Sequence, residues 1–359
     1  MIMNIRLKAP GRVVFFGEHQ DYLGLPVIPA AIDLYMEIRG KRSNSYEFNI
    51  ELSDIQKKEI FNSKNIHYNT PRDYFKSGVR VLQNEGIIPN NEGVSAVLSS
   101  AIPMQAGLSS SSALCVIWIA FLAEAFDQKL TPIEITHYAY QAEVVEFNEP
   151  GGMQDHMVIS HGYVNYEEFD PISCSRLLEE IPGIVIGNSL EKKDTLNTLS
   201  LIKNGVTKGL NFLEVSHIRD LTLKDVESLK PVKGIIDEFS ISTLKAAVLN
   251  HEITREAYLE FQKGLSSMDH EYIGELLTKH HASLRDYLQV STPKLELMIK
   301  AALKAGALGC KVTGSGNGGC MIAYAPRCEE KVSNAIKNVG GQAHIAKVVP
   351  GVSRTENFD

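Results

Sequence analysis

The sequence predicts a mixed α+β protein built from two packed lobes. At 359 residues, the chain exceeds the roughly 100–200 residues of a typical single domain. Short apolar runs of strand length alternate with longer apolar runs of helix length, and glycine or proline separates many of them. The composition is 44% hydrophobic and 22% charged, which excludes a wholly disordered, collagen-like or coiled-coil chain.

The first half of the chain alternates between strand and helix signals. Two apolar runs on either side of a polar loop predict strand, loop and strand over residues 12–38. The long apolar run 113–126 follows four serines, which predicts a buried helix with a serine N-cap. The other elements predicted here are half-buried strands within 41–64, helices over 73–85 and 132–147, and strands over 94–102, 163–166 and 181–187.

The second half is mainly helical until a glycine-rich segment near its end. Residues 306–319 form a glycine-rich turn region that leads into a strand over 320–324. We expect one lobe over residues 1–185 and a second over residues 186–359. Periodic apolar positions predict helices over 199–215, 243–250, 255–263, 273–288 and 293–305.

Charge and cysteine usage limit the classes of function. The formal charge is −7, from 36 basic and 43 acidic residues, so the chain offers no general attraction to nucleic acid or to an anionic membrane. Five scattered cysteines without CxxC pairing predict reduced thiols and a cytoplasmic protein. We identify neither an export signal nor a run long enough to span a membrane.

A polar loop between the first two predicted strands concentrates charged side chains. Glu18, His19 and Asp21 lie close in sequence to Arg12. Carboxylates and imidazole accept hydrogen bonds from vicinal hydroxyls, whereas a guanidinium stabilises phosphoryl charge, so the loop suits a polyol and a phosphate. A solvated loop with a capping aspartate is the alternative for this segment taken alone.

Two further segments have the features of phosphate-binding loops. Gly107 and Leu108 lead into the run Ser109, Ser110, Ser111 and Ser112, where the amides of a helix N-terminus favour phosphate and a hydroxyl can bind Mg²⁺. The Walker lysine is absent, and a simple serine-capped helix remains the alternative.

The second of these segments is 314–319, where four of six residues are glycine. So many glycines cost backbone entropy on folding, which favours a segment whose backbone adopts positive φ or approaches a ligand closely. A hairpin loop is the alternative.

Two more carboxylates are candidates for the chemistry. Asp155 follows a glycine turn and can orient or deprotonate a hydroxyl nucleophile, while Glu143 can ligate Mg²⁺ through hard oxygen. Taken alone, either one is also compatible with a surface charge.

In this order, the motifs resemble those of the GHMP kinases, a family that includes galactokinase, homoserine kinase and mevalonate kinase. The resemblance implies a two-lobed α+β fold with the active site in the cleft between the lobes, and ATP with Mg²⁺ as co-substrate. It also implies that Asp155 faces the acceptor hydroxyl beside Arg12. By the same resemblance, Glu18, His19, Asp21 and Gly152 contact the sugar, Gly107, Leu108, Ser109, Ser110, Ser111, Gly314 and Gly316 contact ATP, and Ser111 and Glu143 hold the metal.

Within this family the chain looks most like galactokinases. Arg12 and the segment Gly17-Glu18-His19-Gln20-Asp21-Tyr22 carry the likeness, and residues 281–291 add to it. The sequence departs at Gln20, where Thr is usual, at Val14, where Asn is usual, and after Ser189, where the usual tyrosine and paired arginines are missing.

The resemblance therefore implies phosphorylation of a monosaccharide at its anomeric hydroxyl. Galactose leads among hexoses, pentoses, uronic acids and heptoses. Two alternatives remain: a kinase for another small alcohol such as mevalonate, and a catalytically silent sensor of sugar and ATP. A mevalonate carboxylate would be repelled by Glu18 and Asp21, which argues against the first alternative.

Overall fold

The computed structural model describes residues 4–192 and 195–355. Its strands and helices confirm the mixed α+β class. Across those residues the strands are β1 (Ile5–Phe16), β2 (Ile28–Ser43), β3 (Glu47–Leu52), β4 (Lys57–Asn62), β5 (Gly93–Ser100), β6 (Val164–Phe169), β7 (Ile172–Leu178), β8 (Ile184–Asn188), β9 (Gly309–Thr313), β10 (Cys320–Tyr324), β11 (Gln342–Ala346) and β12 (Ser353–Arg354).

The helices fill the connections between these strands. A π-helical turn at Gln141–Val145 continues α3, and short 3₁₀ turns occur at Asp21–Leu23, Ser53–Ile55 and Ile218–Asp220. The α-helices are α1 (Tyr74–Asn84), α2 (Ser110–Ala125), α3 (Pro132–Tyr140), α4 (Gln154–His161), α5 (Thr195–Leu213), α6 (Leu223–Glu227), α7 (Glu238–Phe261), α8 (His270–Asp286), α9 (Pro293–Lys304) and α10 (Glu329–Asn338).

The strands of the described residues form two sheets. In the first, the order is β12-β1-β2-β5-β3-β4, and β6 pairs with β2 and with β7. All of its pairs are antiparallel except β3 with β5. In the second sheet, the order is β11-β8-β10-β9, and every pair is antiparallel. The expected lobe division at residues 185 and 186 falls inside β8 and stays a prediction.

Helix α2 is buried along most of its length, which explains why its sequence is apolar on every face. Trp118 is fully buried, stacks on Phe121 and donates its indole N–H to the Phe75 carbonyl at 2.9 Å. The helix packs against β1 and β2 on one side and against α1, α3 and α4 on others. Its N-terminus is thereby fixed beside the end of β1.

The end of β1 also contacts the second sheet. The Val14 amide donates to Thr313 Oγ1 at 3.1 Å, and the ammonium of Lys311 donates to the Val14 carbonyl at 2.9 Å. Phe15 and Phe16 pack edge-on against Phe261 of α7. The two Val14 contacts join the two sheets at the strand that carries Arg12, and the phenylalanine contacts add α7.

Several elements differ from the sequence-based predictions. The two helices predicted at 243–250 and 255–263 are one helix, α7, because packing against α5 and α8 carries it through the polar stretch between them. Strand β9 lies within the predicted turn region, while β11 and α10 were not predicted. No helix of the described part of the chain has the length and apolar character that crossing a membrane requires.

Candidate active site

A cavity of about 630 Å³ lies where the two sheets meet. Its wall combines the end of β1, the loop after it, the start of α2, the π-helical turn and the start of α4 with Thr195 and Gly314 from the second half. The predicted site residues that line it are Arg12, Glu18, His19, Asp21, Gly107, Ser109, Ser110, Ser111, Glu143, Gly152, Asp155 and Gly314.

Two predicted ATP-binding residues do not line the cavity. Leu108 is buried in the core. Gly316 has φ +74°, and a Cβ there would lie 2.5 Å from the Val290 carbonyl oxygen. The position therefore needs glycine because of its own backbone, whatever the ligand.

Arg12 and Asp155 form the central ion pair of the cavity. The guanidinium donates from Nε to Oδ1 at 2.6 Å and from Nη2 to Oδ2 at 2.8 Å, a bidentate arrangement. Burial alone would raise the pKa of Asp155, but the charge and hydrogen bonds of Arg12 and the Ser109 hydroxyl outweigh it and lower that pKa below its ordinary value. Asp155 is thus ionised at neutral pH, and its side chain keeps 22% of its surface exposed to the cavity.

Ser109 occupies the N-cap position of α2 but does not cap the helix. Its φ is +60°, and its side chain makes no capping hydrogen bond. Instead, its hydroxyl donates to Asp155 Oδ2. The predicted serine cap is therefore wrong for this residue. A capping oxygen accepts from a backbone N–H two or three residues further on, and the Ser109 side chain, with φ at +60° and its hydroxyl turned to Asp155, makes no such bond.

Gly107 and Gly314 bring the serine loop and the glycine-rich loop into backbone contact. Arg12 Nη1 donates to the Gly107 carbonyl at 2.5 Å. Gly314 has φ +78°, and a Cβ there would lie 2.9 Å from the same carbonyl oxygen. Only glycine allows this approach, so the two loops meet directly above Arg12.

The carboxylate of Glu18 forms a buried pair with Lys311 of β9. Oε1 accepts from Lys311 Nζ, and the two side chains are 1% and 0% exposed. Burial raises the pKa of Glu18 and lowers the pKa of Lys311 to about 8, although each charge partly offsets the effect on the other. Oε2 of Glu18 has no hydrogen-bond partner among the described residues, and Glu18 lines the cavity.

Asp21 is held in place by the glycine turn before α4. A Cβ on Gly152 would lie 2.0 Å from Asp21 Oδ2 and 2.8 Å from the Tyr22 backbone nitrogen, so Gly152 leaves the space that this carboxylate occupies. Burial, followed by the charge of Asp155, raises the pKa of Asp21 to about 6, although the Tyr22 and Gln154 amides oppose that rise. Gly152 therefore acts here by making room for Asp21.

His19 is oriented within the same loop. Its φ is +64°, and its Nδ1 lies 2.9 Å from the Tyr22 hydroxyl. The loop thus presents an imidazole between two carboxylates, Glu18 and Asp21, and burial raises the pKa of both.

Glu143 lies on the π-helical turn, a local irregularity that is frequent at functional sites. Its Oε2 is 2.6 Å from Nε2 of the buried His156. Burial alone would raise the pKa of Glu143, but His156 and the hydroxyls of Ser111 and Ser112 lower it below its ordinary value. The carboxylate is therefore ionised and adjacent to Ser111 at the start of α2.

Sequence reasoning missed Lys311 and His156 as parts of the site. Both are buried partners of predicted carboxylates. Lys311 lies three residues before the glycine-rich segment 314–319, and His156 directly follows Asp155. The basic side chain beside each of these segments was the one sequence feature that could have indicated a partner for a carboxylate.

Comparison with known proteins assigns the family. The models for the GHMP kinases N terminal domain, the GHMP kinases C terminal region and the galactokinase galactose-binding signature match residues 73–163, 261–342 and 5–42. The chain belongs to the GHMP kinases, which confirms the resemblance stated from the motifs. It is a kinase that phosphorylates a small substrate.

Within that family the chain is similar to proteins of two activities. It is 28% identical to a mevalonate kinase of Thermococcus sibiricus, with 96% of each chain covered. It is also 28% identical to a galactokinase of Thermococcus kodakarensis, with 89% of each covered. The solved galactokinase of Lactococcus lactis, complexed with galactose, has the same fold, with TM-score 0.85 at 21% identity over 98% of this chain and 95% of that one.

Proposed function

We propose that this protein transfers the γ-phosphoryl group of ATP to the anomeric hydroxyl of a monosaccharide, with galactose as the first candidate, in the cytoplasm. The observation that carries the proposal is the galactose-binding signature over residues 5–42. That segment supplies Arg12, Glu18, His19 and Asp21, which line one cavity with Asp155.

The charge balance of the cavity favours a neutral acceptor. Among the described residues that line it, the only arginine or lysine side chains are Arg12 and Arg72. Each already binds a carboxylate through two nitrogens, Arg12 that of Asp155 and Arg72 that of Glu149 at 2.5 and 3.0 Å. An acceptor carboxylate would have to compete for these cations, whereas sugar hydroxyls can donate to the Asp21 carboxylate.

In this proposal, Asp155 anchors and orients the attacking hydroxyl. A carboxylate with a lowered pKa is a weak base, but phosphoryl transfer through a loose transition state needs position and charge neutralisation more than early proton removal. Arg12 holds Asp155 rigid and keeps its own positive charge beside the transferring group. ATP phosphates would bind at the serine loop, with Gly314 closing the site above them.

Ser111 and Glu143 fit a Mg²⁺ ion bound with ATP. An ionised carboxylate and an adjacent hydroxyl are hard oxygen donors, and Mg²⁺ usually takes one or two protein ligands and completes its shell with phosphate oxygens and water. The ion would neutralise charge on the phosphates. His156 would hold Glu143 in position from behind.

Mevalonate phosphorylation is the second candidate. The similarity to the Thermococcus sibiricus mevalonate kinase over 96% of the chain favours it. The charges of the cavity wall favour the sugar. Among the described lining residues, each arginine is already paired with a carboxylate, so none is left to bind the carboxylate of mevalonate.

The test is consumption of MgATP by the purified protein against free sugars, uronic acids, heptoses and mevalonate, with ³¹P NMR to locate the new phosphate. A single sugar that gives an anomeric phosphate supports the proposal. Turnover of mevalonate alone would replace it with the second candidate. Binding of ATP and sugar without turnover would identify a silent sensor.

A further inference from the structure

Residues 17–27, which join β1 to β2 and carry Glu18, His19 and Asp21, are called the acceptor loop here. Gln20 lies within this loop, yet its side chain points away from the cavity. The residue is 1% exposed, and it is absent from the cavity wall although His19 and Asp21 on either side belong to it. Its side-chain amide reaches α7, which follows more than two hundred residues later. Galactokinases usually carry Thr here, whose shorter side chain ends in a hydroxyl and a methyl group and has no amide.

The hydrogen bonds decide how this amide is oriented. The Thr254 hydroxyl has one proton, which it donates to the Asn250 carbonyl at 2.7 Å, so the Thr254 oxygen is left as an acceptor. With its nitrogen toward Thr254, the Gln20 amide donates to Oγ1 at 3.1 Å and to the Pro26 carbonyl at 3.0 Å, and it accepts from the His251 backbone N–H at 2.6 Å. This orientation satisfies the amide nitrogen and oxygen together.

The backbone of Gln20 organises the loop around this anchor. Its N–H donates to the Gly17 carbonyl at 3.1 Å, and its carbonyl accepts from the Leu23 and Leu25 amides, each at 3.0 Å. A second contact, from Arg219 to the Gly24 carbonyl at 2.8 Å, is exposed to solvent. Gln20 is thus a buried point at which the acceptor loop is hydrogen-bonded to α7.

We propose that Gln20 is a positioning residue for the acceptor: its amide fixes the acceptor loop to α7 and so sets where His19 and Asp21 stand in the cavity. The inference rests on the proposed function only in taking this loop as the acceptor-binding loop. The residues assigned to ATP, at 107–111 with Gly314 and Gly316, and the metal candidate Glu143 make none of the Gln20 contacts. Loss of the anchor should therefore weaken acceptor binding and spare ATP.

The kinetic test compares Gln20→Thr, Thr254→Val and the double variant with wild type. We expect each single substitution to raise the KM for the acceptor about tenfold, because a buried hydrogen-bond partner is lost, and to leave the KM for ATP within about twofold. The double variant should be no worse than the poorer single variant, because both remove one interaction. Ser242→Ala is the matched control. It removes a hydrogen bond that another α7 side chain donates, to the Tyr287 carbonyl, and this bond does not involve the acceptor loop.

Hydrogen exchange of the ligand-free protein provides a readout that does not depend on turnover. The backbone N–H groups at positions 20, 23 and 25 should exchange faster in Gln20→Thr and in Thr254→Val than in wild type. The exchange rates of residues 107–112 should not change. Unchanged exchange in the loop, an unchanged acceptor KM, or an equal rise in both KM values would overturn the inference. If wild type turns over no sugar, the proposed function fails, and the exchange data still decide this inference.

Discussion

Replacing Lys311 with methionine should leave Glu18 as a buried charge without its partner. The two side chains are 0% and 1% exposed, so solvent cannot take over the role of the lost ammonium. Breaking a buried pair by removing one partner costs about 3–5 kcal/mol in the free energy of unfolding. The variant also loses the bond from Lys311 Nζ to the Val14 carbonyl.

This loss should depend on pH in a defined direction. Burial already raises the pKa of Glu18, and removing Lys311 removes the largest opposing effect, so the folded variant binds a proton on Glu18 more tightly than the unfolded chain does. Its stability relative to wild type therefore falls as pH rises. Urea unfolding at about pH 5 and about pH 7.5 should give the larger deficit at the higher pH.

Two further variants make this prediction decisive. Glu18→Gln/Lys311→Met removes both charges and should recover most of the loss, since no unpaired charge stays buried. Lys208→Met is the surface control: Lys208 pairs with Asp237 at 3.5 Å, and the two side chains are 60% and 56% exposed, so its loss should stay below about 1 kcal/mol. Equal losses in Lys311→Met and Lys208→Met, or no recovery in the double variant, would refute the reasoning.

Three other predictions concern the cavity. Asp155→Asn keeps the side-chain shape but removes the charge that Arg12 holds, so kcat should fall at least about 100-fold with ATP affinity retained in a binding assay; a kcat within about threefold of wild type contradicts the assigned role. Gly152→Ala should raise the acceptor KM more than about tenfold, because its Cβ would lie 2.0 Å from Asp21 Oδ2. Gly151→Ala, whose Cβ would have its nearest neighbour at 3.7 Å, is the control and should match wild type in the same assay. Since the pKa of Asp21 is raised to about 6, its carboxylate gains a proton as pH falls through that value, and a pH series of initial rates should show the acceptor KM rising there. A KM that stays flat down to about pH 5 would mean that ionised Asp21 does not bind the acceptor.

The motif residues of the site could be predicted because each motif carries its own local chemistry. Arg12 and Asp155, which are 143 residues apart, were paired through the family resemblance, and the structure joins them at 2.6 and 2.8 Å. The run 113–126 was predictable as a helix because it is too long for a typical strand and apolar throughout, which is typical of a buried helix.

The partners of those motif residues could not be predicted in the same way. The contacts of Glu18 with Lys311 and of Gln20 with α7 join residues more than two hundred positions apart. Neither the periodicity nor the spacing of residues along the sequence predicts contacts over such a separation. The bond from the Ser109 hydroxyl to Asp155 likewise joins residues that are distant in sequence, 46 positions apart. Local patterns therefore predicted which side chains are present, whereas tertiary packing set their charge states and partners.

The pairing of β12 with β1 means that the chain passes between the two sheets twice, at residues 179–183 and again at 347–352. These two connecting segments together define one hinge axis, about which the two halves of the protein could rotate relative to each other. Such a swing would have to break the contacts of Lys311 and Thr313 with Val14, which lie in the protein interior. We therefore expect the two halves to keep the same relative position whether or not a ligand is bound.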